Sequence, residues 1–379
     1  MDFNSLLALM LKKNASDMFI TAGMPPSLKI AGRVVPVTQR KLTPEQTYAT
    51  VMAIMTPDQQ EEFEVTRECN FAISAKNIGR FRVSAFYQRN QAGMVIRRIT
   101  TKIPSIEELN LPPVLKDFAM TQRGLIIFVG ATGTGKSTSL ASMVGFRNRN
   151  STGHIITIED PIEYIHSHEG CVVTQREVGI DTESYDVALR NTLRQAPDVI
   201  LVGEIRQRET MDHAIAFAET GHLCLSTLHA NNANQAMDRI INFFPAERRD
   251  QLFMDLSLNL KAIIAQQLIP TPDGKGRVVA LEILVNTPHV SDLIRKGAVN
   301  ELKDVMKRSK EQGMQTFDQH LFELYKEGKI AYEDAIRYAD SANEVRLMIK
   351  LDSSDGDRFA EQPAMPDGSG DTMMSLDDY

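Results

Sequence analysis

Four short segments carry side chains able to do phosphate chemistry. The first, GATGTGKST at 130–138, has the spacing G-x-x-x-x-G-K-[ST] and lies between an apolar run, Leu125 to Val129, and a helix-like stretch. That setting makes it a phosphate loop. Gly130, Gly133 and Gly135, with Ala131, Thr132 and Thr134 between them, let the backbone curl until successive N–H groups face one concavity. A helix opening at Lys136 adds the positive end of its dipole. Lys136 supplies a mobile cation for the β- and γ-phosphates, Ser137 a hydroxyl ligand for Mg²⁺, and Thr138 polar lining at the helix start. The chemistry implied is binding of ATP with Mg²⁺.

The second segment, Glu159-Asp160-Pro161-Ile162-Glu163, places three carboxylates within five residues after a strand-like run. Such a group can organise Mg²⁺ and activate water. Capping of a helix N-terminus is the alternative role for such acids, and it fits Asp160 better than Glu163 or Glu204. The third, Gly203-Glu204-Ile205-Arg206, ends an apolar run with Gly-Glu in place of the commoner Asp-Glu, so Glu204 is the natural metal-side carboxylate. The fourth runs from His222 to His229. An isolated histidine is most often structural, but at a strand end beside these motifs it can hydrogen-bond a terminal phosphate. His166-Ser-His168-Glu-Gly-Cys171 resembles a metal site but has no second cluster to complete it. Arginines gather at Arg80, Arg82 and Arg97 in the first hundred residues and at Arg194 and Arg206 around the third segment. Nucleotide hydrolysis gains from an arginine supplied across an interface, and these five are the candidates.

Elements must bring these segments together. Short β-branched runs at Leu125 to Val129, His154 to Ile158, Asp198 to Val202 and His222 to Thr227 alternate with helical stretches, which predicts an α/β domain with a largely parallel sheet. Ligands bind such sheets beyond the carboxyl ends of the strands, where the polar segments cluster. Residues 1–100 mix short strands and helices as a small α+β domain. Residues 101–120, with Pro104, Pro112 and Pro113, read as a linker, 121–285 as the ATPase core and 286–351 as a helical subdomain. Residues 352–379 are rich in Asp, Ser, Gly and Pro and are expected to be a disordered acidic tail, either a docking segment for a basic partner or simply solvated.

Charge excludes some functions. That tail holds eight acidic residues and one arginine, which accounts for the whole net charge of -7 and leaves 41 basic against 41 acidic residues in the body. A neutral body carries no global footprint for nucleic acid, and a nucleic-acid motor is disfavoured. Three scattered cysteines, Cys69, Cys171 and Cys224, predict reduced thiols and a cytoplasmic setting. The apolar start has its lysines, Lys12 and Lys13, on the wrong side for a signal peptide. No apolar run approaches the roughly 20 residues of a membrane span, so any membrane connection runs through a partner.

The segments GATGTGKST, IEDPIE, APDVILVGEIR and TGHLCLSTLHA, in this order, resemble the secretion ATPase superfamily and within it the type IV pilus retraction ATPases of the PilT/PilU family. The likeness extends over about residues 1 to 350, through SDMFITAG, GRFRVSAF and FFPAERR. It implies a PAS-like N-terminal domain, a RecA-like P-loop motor domain and a homohexameric ring. It also implies that Glu163 polarises water, that Glu204 is the Walker B acid, and that His222 and His229 sense nucleotide. The assembly ATPases of the superfamily carry a four-cysteine zinc insertion, which three scattered cysteines cannot supply. The stretch Val290 to Gly297 departs from the AIRNLIRE-like segment of PilT chains, and with the acidic tail this places the chain nearer the PilU side of the family. The function implied is a motor that powers or assists pilus retraction and twitching motility, cytoplasmic and peripheral at the inner-membrane pilus base. Its implied partners are a PilT-like motor and the platform protein. The alternative is a nucleotide-binding accessory module that mainly contacts a partner motor.

Overall fold

The computed structural model describes residues 2–30, 32–76, 78–99 and 102–352. The acidic tail expected from 352 onward lies outside these residues, apart from Asp352. The chain begins with α1 (Phe3–Lys12), then β1 (Asp17–Thr21), β2 (Ser27–Ile30), β3 (Arg33–Pro36), α2 (Pro44–Met52), α3 (Pro57–Thr66), β4 (Glu68–Ala75), β5 (Gly79–Gln88) and β6 (Gln91–Arg98). The six strands form one antiparallel sheet in the order β3-β2-β1-β6-β5-β4. Alternation along β5 sets its faces. Phe81, Val83 and Ala85 are buried in a core with Leu7, Met18, Phe63 and Ile96, which turns Arg80 and Arg82 to the other side. Register places Arg97 opposite Arg82 and Asp17 opposite Arg97, on that same outer face. Both α2 and α3 open on capping boxes, Thr43 with Gln46 and Thr56 with Gln59, each followed by a proline.

After α4 (Val114–Ala119), a seven-stranded sheet runs β7 (Gly124–Val129), β8 (Gly153–Glu159), β9 (Cys171–Glu177), β10 (Val199–Val202), β11 (Leu223–Leu228), β12 (Leu260–Pro270) and β13 (Arg277–Val285). Its order is β13-β12-β7-β11-β10-β8-β9. Every residue of β7, β10 and β11 is buried, as expected of parallel strands covered on both faces. The helices are α5 (Lys136–Asn150), α6 (Tyr185–Thr192), α7 (Arg208–Glu219), α8 (Ala233–Asn242), α9 (Arg249–Asn259), α10 (Pro288–Arg295), α11 (Leu302–Arg308), α12 (Phe317–Lys326), α13 (Tyr332–Arg337) and α14 (Ala342–Asp352).

Parallel register fixes which edge does chemistry. Val129 stands opposite Leu228, and Val202 is flanked by Ser226 and Ile158, so the segments after β7, β8, β10 and β11 emerge along one edge. Strands β9, β12 and β13 were not among the strand-like runs of the sequence. The turn from α9 to β12 carries neither glycine nor proline, and it is burial on both faces of Ala262 to Ala265 that makes this stretch a strand.

Contacts divide the chain into two compact units. The first spans Met1–Leu268 and Leu281–Thr316, and it holds the N-terminal sheet, the P-loop and the helices through α11. The second joins Ile269–Ala280 to α12, α13 and α14. Within the second, the buried Asp318 carboxylate accepts the backbone N–H groups of Asp340 and Ser341 at 2.8 and 3.2 Å, which anchors the turn into α14.

Candidate active site

The P-loop leaves the carboxyl end of β7 and enters α5 through Gly135, with no side-chain cap on the helix. Gly130 (φ +154°) is required by packing: a Cβ there would lie 2.6 Å from both the Gln266 carbonyl oxygen and Thr134 Oγ1. Gln266, 1 % exposed on β12, fixes the loop from beneath. Its amide donates to the Thr134 carbonyl at 2.8 Å and accepts from Ser139 Oγ at 2.9 Å. Lys136 is buried, and its Nζ donates to the carbonyls of Gly130 at 2.7 Å and Ala131 at 2.9 Å. Burial holds its pKa below the ordinary lysine value, against a pull upward from the Glu204 charge. Phosphate oxygens would offer this ammonium stronger, charge-assisted partners than two neutral carbonyls. Ser137 is exposed at the helix start, while Thr138 Oγ1 lies 2.9 Å from the Tyr164 hydroxyl.

At the end of β10, a Cβ on Gly203 would meet Tyr185 Oη at 2.8 Å and the Ile158 carbonyl oxygen at 3.1 Å. This crowding explains why Gly-Glu stands where Asp-Glu is commoner. The Gly203 carbonyl accepts from Thr227 Oγ1 at 2.6 Å, and the Ile205 N–H donates to the Thr227 carbonyl at 2.8 Å, so β11 braces the turn that carries Glu204. The Glu204 side chain is 15 % exposed. One oxygen is 3.0 Å from His229 Nε2 and the other 2.7 Å from the Arg206 guanidinium. Glu163 is exposed on the loop after β8, whose Asp160–Pro161 peptide is cis. That loop is tied down by Gln175, which donates to the Tyr164 carbonyl at 2.9 Å and accepts from the His166 N–H at 2.8 Å.

Lys136, Ser137, Glu163, Glu204 and His229 thus share one edge of the sheet. His222 does not join them. It precedes β11, and its carbonyl accepts the N–H of Gly124 at the start of β7. At about 3.3 Å per residue, the six-residue strand puts it roughly 20 Å from its fellow histidine. Its ring there faces Thr220 Oγ1 at 3.1 Å. Arg194 is exposed at that same far edge, in the turn before β10 where the Gln195 carbonyl meets His154. Three of the other arginines have side-chain partners within the chain: Arg97 donates to Asp17 at 2.8 Å, Arg206 binds Glu204 and lies 3.7 Å from Asp160, and Arg82 reaches Glu177 and the Ile162 carbonyl. Arg80 is half-buried on β5. The Glu163 charge adds to the Asp17 hydrogen bond in holding Arg97 protonated. His168 accepts the Val173 N–H at 3.0 Å, and no group of three metal-ligating side chains of the His, Cys, Asp and Glu types occurs among the described residues.

An open cleft of about 670 Å³ starts at Ala131 and His229 and runs along α8 past Asn231, Gln235 and Arg239. The P-loop backbone, open helix start and buried cation fit a polyphosphate. Beside it, Ser137 and Glu204 carry the oxygen atoms that could hold a divalent cation. Gln266, Gln175 and Glu177 were missed in the sequence. Their only signal is a polar residue inside a strand, which becomes meaningful once its neighbours are known.

Glu159 differs from its neighbours. Part of the residue reaches solvent, but protein crowds its carboxyl group, which takes hydrogen bonds from Thr157 at 2.7 Å and Gln175 at 3.3 Å. Burial, reinforced by the charges of Glu163 and Glu177, raises its pKa to about 7. The folded state therefore holds this proton more tightly than the unfolded chain. The stability it contributes is complete below the ordinary carboxylate range and is lost as pH rises through about 7. Glu159→Gln removes this dependence, and between about pH 5 and pH 8 the Tm of the variant should fall by roughly 3 °C less than that of the parent. Thermal unfolding of both proteins across that range checks it, and parallel Tm profiles would refute it.

The family described as Type II/IV secretion system protein matches residues 2–337 of the chain. The type IV pilus ATPase PilU of Pseudomonas aeruginosa is 69% identical over 361 residues, 95% of this chain and 94% of that one. The type IV pilus retraction ATPase PilT of the same organism is 41% identical over 335 residues, 88% and 97% of the two chains. The crystal structure of the pilus retraction motor PilT with bound ADP superposes with a TM-score of 0.86 at 38% identity, covering 92% of this chain and 99% of that one. The expected fold class, a small N-terminal α+β domain followed by a P-loop ATPase domain with helices after it, agrees with that likeness. The expected leaning toward the PilU side agrees with the 69% identity to PilU against 41% to PilT. With the P-loop, the Glu204 turn and His229 on one sheet edge, the chain belongs to the PilT/PilU family of type IV pilus ATPases within the type II/IV secretion system proteins.

Proposed function

We propose that the protein is an ATP-hydrolysing motor of the type IV pilus machinery that powers or assists pilus retraction as a homohexamer, in the manner of PilU and beside a PilT-like motor. The observation that carries this reading is the meeting of Lys136, Glu204 and His229 at the carboxyl edge, with Glu163 on a loop fastened to the P-loop helix through Tyr164 and Thr138. In this reading Lys136 and the P-loop N–H groups bind the phosphates and offset charge as the terminal phosphoryl departs. Glu163 holds and orients the attacking water, and His229 keeps Glu204 aimed at the site. Ser137 and Glu204 would hold a Mg²⁺ ion, which when bound would supply charge neutralisation for the phosphates. Arginines of a neighbouring domain or subunit complete the site: Arg80, Arg82, Arg97, Arg194 and Arg206 are the candidates. His222 and Arg194, at the far edge, can reach a phosphate only across a subunit boundary. No helix among the described residues is long and apolar enough to cross a membrane, which fits a peripheral ring docked on the inner-membrane platform protein from the cytoplasmic side.

Steady-state ATP hydrolysis by the purified full-length protein, alone and mixed with a PilT-type motor, tests the reading. Turnover by the protein alone on the order of 0.1–10 s⁻¹ that depends on ring assembly supports a motor. Binding without turnover in either condition leaves the accessory-module alternative.

A further inference from the structure

We infer that Tyr164 is a positioning residue for Glu163: its hydroxyl, shared with Thr138 at the start of α5, sets the water-orienting carboxylate relative to the P-loop. The inference rests on the reading of Glu163 above. Glu163 is exposed, so packing around the carboxylate does little to fix where it points, and its backbone neighbours decide. On one side the Ile162 N–H donates to Glu177 at 3.2 Å. On the other, the Tyr164 carbonyl accepts from Gln175 at 2.9 Å, and the His166 N–H donates to the same side chain at 2.8 Å. Glu177 and Gln175 both belong to β9, so these bonds fix the loop to the sheet and leave its distance from the P-loop open. Tyr164 Oη, 2.9 Å from Thr138 Oγ1, closes that distance. Among the described residues it makes the one hydrogen bond between residues 160–166 and the first two turns of α5. Near the other end of the helix, the buried Asn148 holds the Ser167 carbonyl at 2.7 Å and the Glu169 N–H at 3.3 Å. The segment after β8 is thus strapped to α5 at both ends of the helix, and Tyr164 is the strap at the phosphate end.

Hydroxyl chemistry gives this strap a direction. A threonine hydroxyl offers one proton and two lone pairs, and a phenol can give or accept. When Tyr164 donates, Thr138 keeps its own proton for an oxygen of a phosphate at the helix start, where backbone N–H groups and the dipole favour an anion. A loaded P-loop therefore selects donation from Tyr164 to Thr138, and hydrogen bonds in such a chain polarise and strengthen one another. The strap is tightest when nucleotide is bound, so Glu163 is aimed when there is a phosphate to attack. Both hydroxyl-bearing residues are half-buried, so water competes for the bond when the loop is empty. The bond is a modest one, and its effect lies in geometry: displacing a catalytic group by a fraction of an ångström costs rate without costing binding.

The test compares the full-length protein with Tyr164→Phe, Thr138→Val, Thr138→Ser, Glu163→Gln and the Glu163→Gln/Tyr164→Phe pair. It measures kcat with radiolabelled ATP, so that residual turnover is visible, together with KM, affinity for a non-hydrolysable ATP analogue and Tm. Tyr164→Phe keeps the ring and removes only the hydroxyl, so Tm should move by no more than about 4 °C. Its kcat should fall about fivefold, with KM and analogue affinity within about twofold. Thr138→Val breaks the same bond from the other side and should lower kcat at saturating ATP at least as much, while Thr138→Ser, which keeps a hydroxyl, should lose less than Thr138→Val. The decisive comparison is the pair: a strap that acts through Glu163 has nothing left to position once that carboxylate is an amide, so Glu163→Gln/Tyr164→Phe should turn over within about twofold of Glu163→Gln alone. Losses that multiply in the pair, weakened analogue binding by Tyr164→Phe, or parental kcat in Tyr164→Phe would overturn the strap. Should Tyr164→Phe fail to fold, Thr138→Val alone and on the Glu163→Gln background carries the same comparison. Parental turnover by Glu163→Gln would overturn the assignment of Glu163 and the strap with it, whereas an inactive Glu163→Gln beside fully active Tyr164→Phe and Thr138→Val would overturn the strap alone.

Discussion

Lys136→Ala lowers ATP turnover by about 10³-fold or more and weakens triphosphate binding by roughly 10- to 100-fold. The binding loss is the smaller because the P-loop backbone and the start of α5 still present N–H groups to the phosphates. The turnover loss is the larger because charge grows on the transferred phosphoryl oxygens in the transition state, where a preorganised cation counts most in a site shielded from water. Lys136 is buried and held by the carbonyls of Gly130 and Ala131, so it is already positioned within the loop. No neighbouring cation replaces it from within the loop, since the remaining loop side chains are alanine, threonine and serine. Binding of a fluorescent ATP analogue and steady-state hydrolysis should be measured separately; unchanged turnover would remove this loop from the active site.

Glu163→Gln lowers hydrolysis by about 10²- to 10⁴-fold with nucleotide affinity nearly unchanged, as expected when a water-activating carboxylate becomes an amide of the same shape. Glu163 is exposed on its loop, so the substitution leaves no buried charge unpaired and should barely move Tm. Glu204→Gln behaves differently. Its carboxylate sits between His229 and Arg206, so the amide disturbs both contacts, and the loss in turnover should shrink as Mg²⁺ is raised. Mg²⁺ titrations of kcat for the two variants distinguish the roles. Normal hydrolysis by Glu163→Gln together with an Mg²⁺-insensitive failure of Glu204→Gln would exchange them.

The sequence by itself determined the P-loop, the Glu204 turn and the parallel character of the sheet. These rest on short-range physics: glycines that must curl, apolar runs of strand length, and polar residues that must follow them. It also determined the family, because four such segments in order are specific. It did not determine which polar side chains meet. His222 and His229 bracket the same strand and look equivalent in one dimension, yet a strand has two ends, and only β11 beside β7 in parallel register decides which end lies at the P-loop. Arg82 and Arg97 read in the chain as candidates for an arginine supplied across an interface, and tertiary structure alone gives them Glu177 and Asp17 as partners, each about eighty residues away or more. Gln266 is an inconspicuous amide in an apolar strand until β12 is laid against β7 and its amide meets Thr134 and Ser139. Hydrogen bonds and ion pairs depend on distances of a few ångströms between residues far apart in sequence, and the chain's local pattern holds no record of those distances.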